Sequence, residues 1–346
     1  MNSDNNAYAR AGVNRDTENE TKREMADALE TNDPRVLNKI GAFASLYDAK
    51  FPEYTHPVLV LKTEEPGTKQ LLALQHDSVE TVCHDLVNHL VNDCMVMGAK
   101  PLSIQDCIVG GKIEKGVIVR MVKAFAEAAK ENECSLTGGE TSWQPGVIPE
   151  GTYILTASIV GVVEKEKIID GSKIREGDVV LALASSGVHT NGISLVRKII
   201  EESPDILKET VEGKSFIEAV LTPHRAYYKA LKDLFGTDGL VGLAHITGGG
   251  IQENLNRILP ERLGAEIDLS KIRIHPIFKA LKKFGSLEDK DMLRTFNMGV
   301  GIAAVVRPDS VDGIISRIKK FDIDAYQIGT IAAGNKAVAF TGALDW

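Results

Sequence analysis

Both halves of this 346-residue chain interleave short apolar runs with amphipathic stretches of helical length, and neither half alternates them strictly. In the first half the strand-like runs are 58–62, 102–109 and 153–163, and the helix-like stretches are 82–98 and 117–130. In the second half strands are predicted at 178–184, 240–246, 299–306 and 337–340. Helices are predicted from 193, over 225–235, after the glycines at 248–250, and over 311–319. A doubly wound parallel sheet needs regular βαβ units, so this irregular mixture favours an α+β fold. At roughly 150 residues per domain the length suggests two domains. The sequence changes character at Glu164-Lys165-Glu166-Lys167, which divides it into 1–165 and 166–346. Residues 1–35 form a polar arm with one short helix predicted at 21–30.

Charge and composition narrow the function. With 40 basic and 48 acidic residues the net charge is −8, which argues against sequence-independent binding to nucleic acid. No apolar run approaches the roughly 18 residues of a membrane span. The first residues lack a basic start and an apolar core, so no secretory signal is read there. Cys83, Cys94, Cys107 and Cys134 show no CxxC spacing. Reduced, buried thiols in a cytoplasmic protein are therefore expected.

Six stretches can carry chemistry. Thr63-Glu64-Glu65-Pro66-Gly67-Thr68-Lys69 follows a strand and offers two carboxylates, a tight turn and a lysine. It suits a hydrated magnesium and a phosphate, or simply a solvated charged turn. It is not a Walker A loop, whose spacing is absent. On the predicted helix at 82–98, Asp85, His89, Asn92 and Asp93 stand at offsets of 0, 4, 7 and 8, on one side. Carboxylates on such an apolar helix are either exposed or buried with a cation. Gly138-Gly139-Glu140-Thr141 pairs glycines with an acid. Ser185-Ser186-Gly187-Val188-His189-Thr190-Asn191-Gly192 joins a strand to a helix and presents a histidine at the junction. The run His245-Ile246-Thr247-Gly248-Gly249-Gly250 favours close backbone approach to a ligand. The stretch 294–301, with Arg294 and Asn297, precedes a buried strand.

Taken in order, these stretches resemble the aminoimidazole ribonucleotide synthetase family, also called phosphoribosylformylglycinamidine cyclo-ligases. The resemblance runs from Tyr8-Ala9-Arg10-Ala11-Gly12-Val13 almost to the C-terminus. Its most specific blocks are DLVNHLVNDCMVMGAKPL, GGETSWQPG, SSGVHTNGISLVRK, LTPHRAYY, AHITGGGIQENLNRILP and RTFNMGVGI. Selenophosphate synthetase, thiamine monophosphate kinase and the hydrogenase maturation dehydratase share the architecture, but the blocks SSGVHTNGISLVRK and AHITGGG fit them less well. The alternatives are another ATP-dependent phosphorylating enzyme of this superfamily and a nucleotide-binding protein without turnover.

The resemblance implies two α/β domains and a homodimer in which two N-terminal sheets pair into a barrel. It implies a reaction in which ATP phosphorylates the formyl amide oxygen of formylglycinamidine ribonucleotide and the amidine nitrogen closes the imidazole ring. Magnesium and polyphosphate would be handled by Glu64, Asp85, Asp93 and Glu140. The nucleotide would be surrounded by Gly67, Thr68, Lys69, Asn92, Gly138, Gly139, Thr141 and the segment 41–45. His189, Asn191, His245, Thr247, Gly248, Gly249, Gly250 and Asn297 would face the ribonucleotide. Catalytic roles fall to His189, Lys69 and Asp93, with His189 the preferred proton-transfer group. The chain departs from the family at 63–69, where Thr-Asp-Gly-Val-Gly-Thr-Lys is usual, and its glycine-rich stretch before the first strand (NKIGAFAS) is thinner. Lys22 and Arg23 are approximate counterparts of a lysine in the family's N-terminal helix.

Overall fold

The computed structural model describes residues 31–38, 42–112 and 114–346. The helix predicted at 21–30, the Tyr8–Val13 block, Lys22, Arg23 and Gly41 lie outside the described residues.

The first half builds a four-stranded sheet from β1 (Pro57–Glu64), β2 (Lys100–Gly110), β3 (Ser135–Trp143) and β4 (Tyr153–Glu164). Helix α1 (Lys69–Gln75) and helix α2 (Val79–Met95) link β1 to β2, and α3 (Lys115–Glu131) links β2 to β3. The strand order is β1-β4-β2-β3. β2 and β3 run parallel, which requires a crossover, and α3 supplies it. β4 runs antiparallel to both β1 and β2. Helices cover one face of this sheet. On the other face Leu59, Leu61 and Ile154 are 54%, 70% and 41% exposed.

The second half builds a six-stranded sheet in the order β12-β9-β11-β5-β10-β8. Its strands are β5 (Val179–Ala184), β8 (Leu240–His245), β9 (Leu263–Asp268), β10 (Val300–Val306), β11 (Ala325–Ala333) and β12 (Val338–Thr341); the two-residue strands β6 (Thr210–Val211) and β7 (Lys214–Ser215) form a separate hairpin. All pairings in the large sheet are antiparallel except β12 with β9. Helices α4 (Ile193–Glu202), α5 (Phe216–Leu221), α6 (Tyr228–Leu231), α7 (Gly250–Asn256), α8 (Pro276–Gly285), α9 (Asp289–Thr295) and α10 (Val311–Lys319) complete the fold. β10 reads VGIAAVV and is buried at every position, so it is covered on both faces and does not alternate. The fold is thus mixed α and β with largely antiparallel sheets, in line with the α+β expectation.

Three expectations change. Residues 136–141 lie inside β3, not in a turn, because Gly139 pairs with Asp106 across the sheet. A Cβ on Gly139 would sit 2.3 Å from both the carbonyl and a carboxylate oxygen of Asp106, so close strand contact explains that glycine. The helix predicted over 225–235 shrinks to α6 and a single 3-10 turn. The third glycine of 248–250 serves packing: Gly250 has φ +63° and its Cβ would stand 2.0 Å from the Leu293 carbonyl oxygen. The four cysteines are all unpaired thiols. No helix among the described residues is long and apolar enough to cross a membrane.

Candidate functional site

Helix α2 is apolar around most of its circumference, and its one polar face is turned against the second half of the chain. Asp85, Asn88, His89, Asn92 and Asp93 form that face. Three of them, Asp85, Asn88 and Asn92, grip the segment 222–227. Asp85 Oδ1 accepts from the His224 N–H at 2.7 Å, and Asn88 Nδ2 donates to the His224 carbonyl at 2.7 Å. Asn92 donates to the Arg225 carbonyl at 2.8 Å and accepts from the Tyr227 N–H at 3.1 Å. Below them, Lys69 Nζ lies 3.0 and 2.9 Å from the two Asp85 oxygens and donates to the Thr222 carbonyl at 3.0 Å. Lys69 and Asp85 are both fully buried. Burial outweighs the neighbouring ammonium and lifts the Asp85 carboxyl above its usual range. This corrects three expectations. Lys69, Asp85 and Asn92 were assigned to nucleotide or metal, and the structure commits them to fastening the two halves together.

The fastened segment delivers His224 into a cluster of four histidines. His245, at the end of β8, bonds Asp93 Oδ1 through Nδ1 at 2.7 Å. A carboxylate only accepts, so His245 Nδ1 carries the proton and its Nε2 accepts. His224 Nε2 lies 2.9 Å from that Nε2. His189 stacks on His224 with ring centroids 3.8 Å apart, and the His89 ring is 5.0 Å from His245 and 5.3 Å from His224. His89 Nδ1 meets the Thr190 hydroxyl at 3.2 Å. At the mouth, Lys62 Nζ bridges Glu64 at 2.6 Å and Asp93 Oδ2 at 3.2 Å.

Burial sets the protonation of this cluster. It pushes the His89 imidazolium down to about 4, helped by the neighbouring His245. It pushes His189 and His224 well below the ordinary histidine value. Burial works to raise Asp93, but the hydrogen bond from His245 together with the electrostatic pull of His245, His89 and Lys62 outweighs it and keeps this carboxyl well below the usual range. His89, His189 and His224 are therefore neutral and Asp93 is charged at neutral pH.

The loop 185–192 closes over the cluster. His189 adopts a left-handed backbone, φ +57°, unusual for a side chain of its size. Its Nε2 accepts from the Ser186 N–H at 3.2 Å, which leaves its proton on Nδ1. Among the described residues the buried side-chain nitrogens and oxygens without a hydrogen-bond partner are Asp85 Oδ2, which faces only the Lys69 ammonium, His189 Nδ1, Asn191 Nδ2 and His224 Nδ1. All four belong to this cleft, and unpartnered buried polar atoms mark places where something else binds.

Other expected residues have different positions. Asn297 is buried and tied into the protein: it donates to the Gly187 carbonyl at 2.9 Å and accepts from Ser185 and the Gly299 N–H. These bonds make it a brace for the 185–192 loop, where a substrate-facing role was expected. Thr247 bonds Asn254, whose amide also holds the Gly248 and Gly250 carbonyls. Gly248 and Gly249 stay near Asn191 and Glu253 at the rim. Thr68 reaches Ser194 at 3.3 Å, and Gly67 sits beside Thr190, so the 63–69 turn abuts the histidine loop.

Gly138, Gly139, Glu140 and Thr141 do not join this cleft within one chain. They lie on edge strand β3, while Glu64 lies on the opposite edge, β1. Three strand spacings, roughly 14 Å, separate those edges. The four carboxylates expected on magnesium therefore do not form one site in a single chain. Beside Glu140, Asp106 is buried and its carboxyl is pushed up to about 7 by loss of water, with the Glu140 charge adding to it. Asp106, Lys62 and His224 carry no role in the sequence reading; a lone Asp or Lys in a strand has no sequence signature, and His224 had only its place in LTPHRAYY.

Asp106 gives a pH-dependent prediction. Its folded value lies above the ordinary carboxylate value of about 3.9, so its ionisation works against folding. That cost is absent below pH 4, grows as pH rises, and is complete above pH 7. Asp106→Asn is expected to be more stable than the parent at pH 8, by at most ~4 kcal/mol, with the difference shrinking toward pH 4. Urea unfolding at both pH values checks it; an equal difference at both would contradict the buried-acid reading.

Comparison with known proteins supplies the family. Residues 49–163 match the AIR synthase related protein N-terminal domain and residues 175–341 its C-terminal domain. The phosphoribosylformylglycinamidine cyclo-ligase of Finegoldia magna is 40% identical over 93% of this chain and 95% of its own length. That of Carboxydothermus hydrogenoformans is 42% identical over 96% and 97%. Among solved structures, E. coli HypE covers 94% of both chains at a TM-score of 0.69 and 15% identity. Hydrogenase maturation protein HypE in complex with ATP covers 92% of this chain and 88% of its own at 0.64 and 14%. The last two show the fold alone; the matched domains and the near full-length relatives place this chain in the phosphoribosylformylglycinamidine cyclo-ligase family.

Proposed function

We propose that this chain uses ATP to close the imidazole ring of formylglycinamidine ribonucleotide, and that the histidine cleft holds the ribonucleotide. The observation that carries the placement is the set of unpartnered buried atoms, His189 Nδ1, Asn191 Nδ2 and His224 Nδ1, gathered beneath one loop. ATP turns the formyl amide oxygen into a phosphate leaving group, and attack by the amidine nitrogen then expels phosphate. The chain's contribution is positioning and proton management.

His189 Nδ1–H is a donor, placed to hydrogen-bond an oxygen of the substrate. His224 Nδ1 is an acceptor, because its Nε2–H is spent on His245. A proton taken up at His224 Nδ1 can be passed from Nε2 to His245 Nε2, where Asp93 stabilises the resulting cation. His189 and His224 are buried, so substrate entry requires the 185–192 loop to move. This reading shifts the base from His189 to His224 and makes Asp93 a positioning residue.

The nucleotide is proposed to meet β3, where Gly138, Gly139, Glu140 and Thr141 lie, with the carboxylates of Asp106 and Glu140 beside it. Magnesium would enter with its phosphates and offset their charge. We propose that a second copy of the chain completes this arrangement. The uncovered face bearing Leu59, Leu61 and Ile154 suits a two-fold partner. In the proposed pairing the partner's β3 edge, with its Gly-Gly-Glu segment, would lie near this chain's Glu64 and Lys62. Homodimerisation would thus complete the site as well as bury apolar surface.

The test measures ADP release with formylglycinamidine ribonucleotide, alongside the mass of the protein in solution. Release that depends on this substrate, from a particle of two chains, is expected. Release that needs thiamine monophosphate or another acceptor would assign a different reaction. ATP binding without release would leave a nucleotide-binding protein.

A further inference from the structure

We propose that His89, Asp93 and His245 form a binding site for a divalent transition metal of the zinc or cobalt type. The proposal rests on the geometry of the cluster and not on the reaction assigned above.

One donor atom from each of the three side chains lies within 4.8 Å of the others. Tetrahedral zinc with ligands at about 2.0–2.2 Å needs its donors roughly 3.3–3.5 Å apart. His89 Nε2 already stands 3.6 Å from Asp93 Oδ2, and His245 Nδ1 stands 2.7 Å from Asp93 Oδ1. The two rings meet different oxygens of the same carboxylate, so the donors must close from within 4.8 Å of one another to that spacing by rotation of Asp93 and the rings. His89 and Asp93 are four residues apart on α2, so one helical turn fixes their spacing. His245 comes from the end of a buried strand in the other half of the chain, so the site draws on two rigid elements.

The surroundings are those that orient metal ligands. Thr190 Oγ1 is 3.2 Å from His89 Nδ1, so it can take that proton and leave the Nε2 lone pair directed at Asp93. When the metal takes His245 Nδ1, the single proton of that ring sits on Nε2, 2.9 Å from His224 Nε2 as acceptor. Lys62 now holds Asp93 Oδ2, but it also bonds Glu64 at 2.6 Å and keeps that partner when a metal arrives.

The donor set decides the metal. Two imidazoles and one carboxylate suit zinc, cobalt and nickel, whereas magnesium prefers oxygen ligands and retains its waters. Asp93 was expected on magnesium; its neighbours point to a softer ion. With three protein ligands a water completes the coordination, as in reactive zinc sites.

The test uses the full chain, freed of metal with a chelator and titrated with Co2+ in the absence of nucleotide. One Co2+ per chain is expected, with the visible absorption of a four- or five-coordinate ion. Zn2+ should displace it and excess Mg2+ should not. His89→Gln is expected to weaken binding at least tenfold while leaving the thermal midpoint within a few degrees. Asp93→Asn provides the second reading where His89→Gln unfolds. His275→Gln, remote from the cluster, should bind as the parent does. No visible spectrum in the parent, displacement by Mg2+, or a spectrum that survives both cluster substitutions overturns the site.

Discussion

Lys69→Met is expected to lower the free energy of unfolding by about 3–5 kcal/mol. The change leaves the Asp85 carboxylate fully buried without its cation and removes the donor to the Thr222 carbonyl. A buried charge stripped of its partner is far more costly than the pair's net worth, because the desolvation already spent on it is no longer offset. The double variant Lys69→Met with Asp85→Leu removes both charges together and should recover most of the loss. Recovery will be incomplete, since the His224 N–H also loses its acceptor. Denaturant midpoints of the two single variants and the double variant read this directly. Equal losses in Lys69→Met and in the double variant would show that the lysine stabilises through packing and not through charge. If Lys69 instead served the nucleotide, ATP affinity would fall with stability unchanged.

Asp93→Asn carries the largest expected effect on turnover, a fall of about 10²–10⁴-fold. Asparagine keeps the shape but cannot hold His245 as an Nδ1–H donor with a charged acceptor, and it cannot stabilise a cation on that ring. The relay from His224 to His245 then loses its anchor. Stability should change little by comparison, because Asp93 is at the mouth and its side chain is 19% exposed. Substrate-dependent ADP release gives the rate, and circular dichroism confirms the fold. A kcat within threefold of the parent would remove the relay from the mechanism. An altered pH profile with KM preserved is the signature of a positioning role; a raised KM alone would make Asp93 a binding residue.

Much of the fold is legible because burial imposes periodicity. The 3.6-residue spacing of Leu86, Leu90 and Cys94 against Asp85, His89, Asn92 and Asp93 marks both the existence of α2 and its one polar face. The continuous apolar runs at 153–163 and 299–306 mark strands, and the second is covered on both sides. β3 is hidden because Gly138-Gly139 has the local signature of a turn, while the reason for the glycine is Asp106 on a neighbouring strand. β9 and β11 were not read as strands, since their short segments take their place from partners far away in the chain.

The amino-acid sequence by itself determined the family, the mixed α and β architecture and the polar stripe of α2, since each is written in local pattern or in ordered motifs. Only the tertiary structure decided what that stripe does. It set Lys69 and Asp85 to holding the two halves, used Asn297 to brace a loop, and gathered His89, His189, His224 and His245 from four separate segments around Asp93. The reason is physical: whether a charged or polar group bonds the protein or a ligand depends on which partners burial brings within hydrogen-bonding distance, and several of those partners, such as His245 for Asp93 and Thr222 for Lys69, lie more than a hundred residues away.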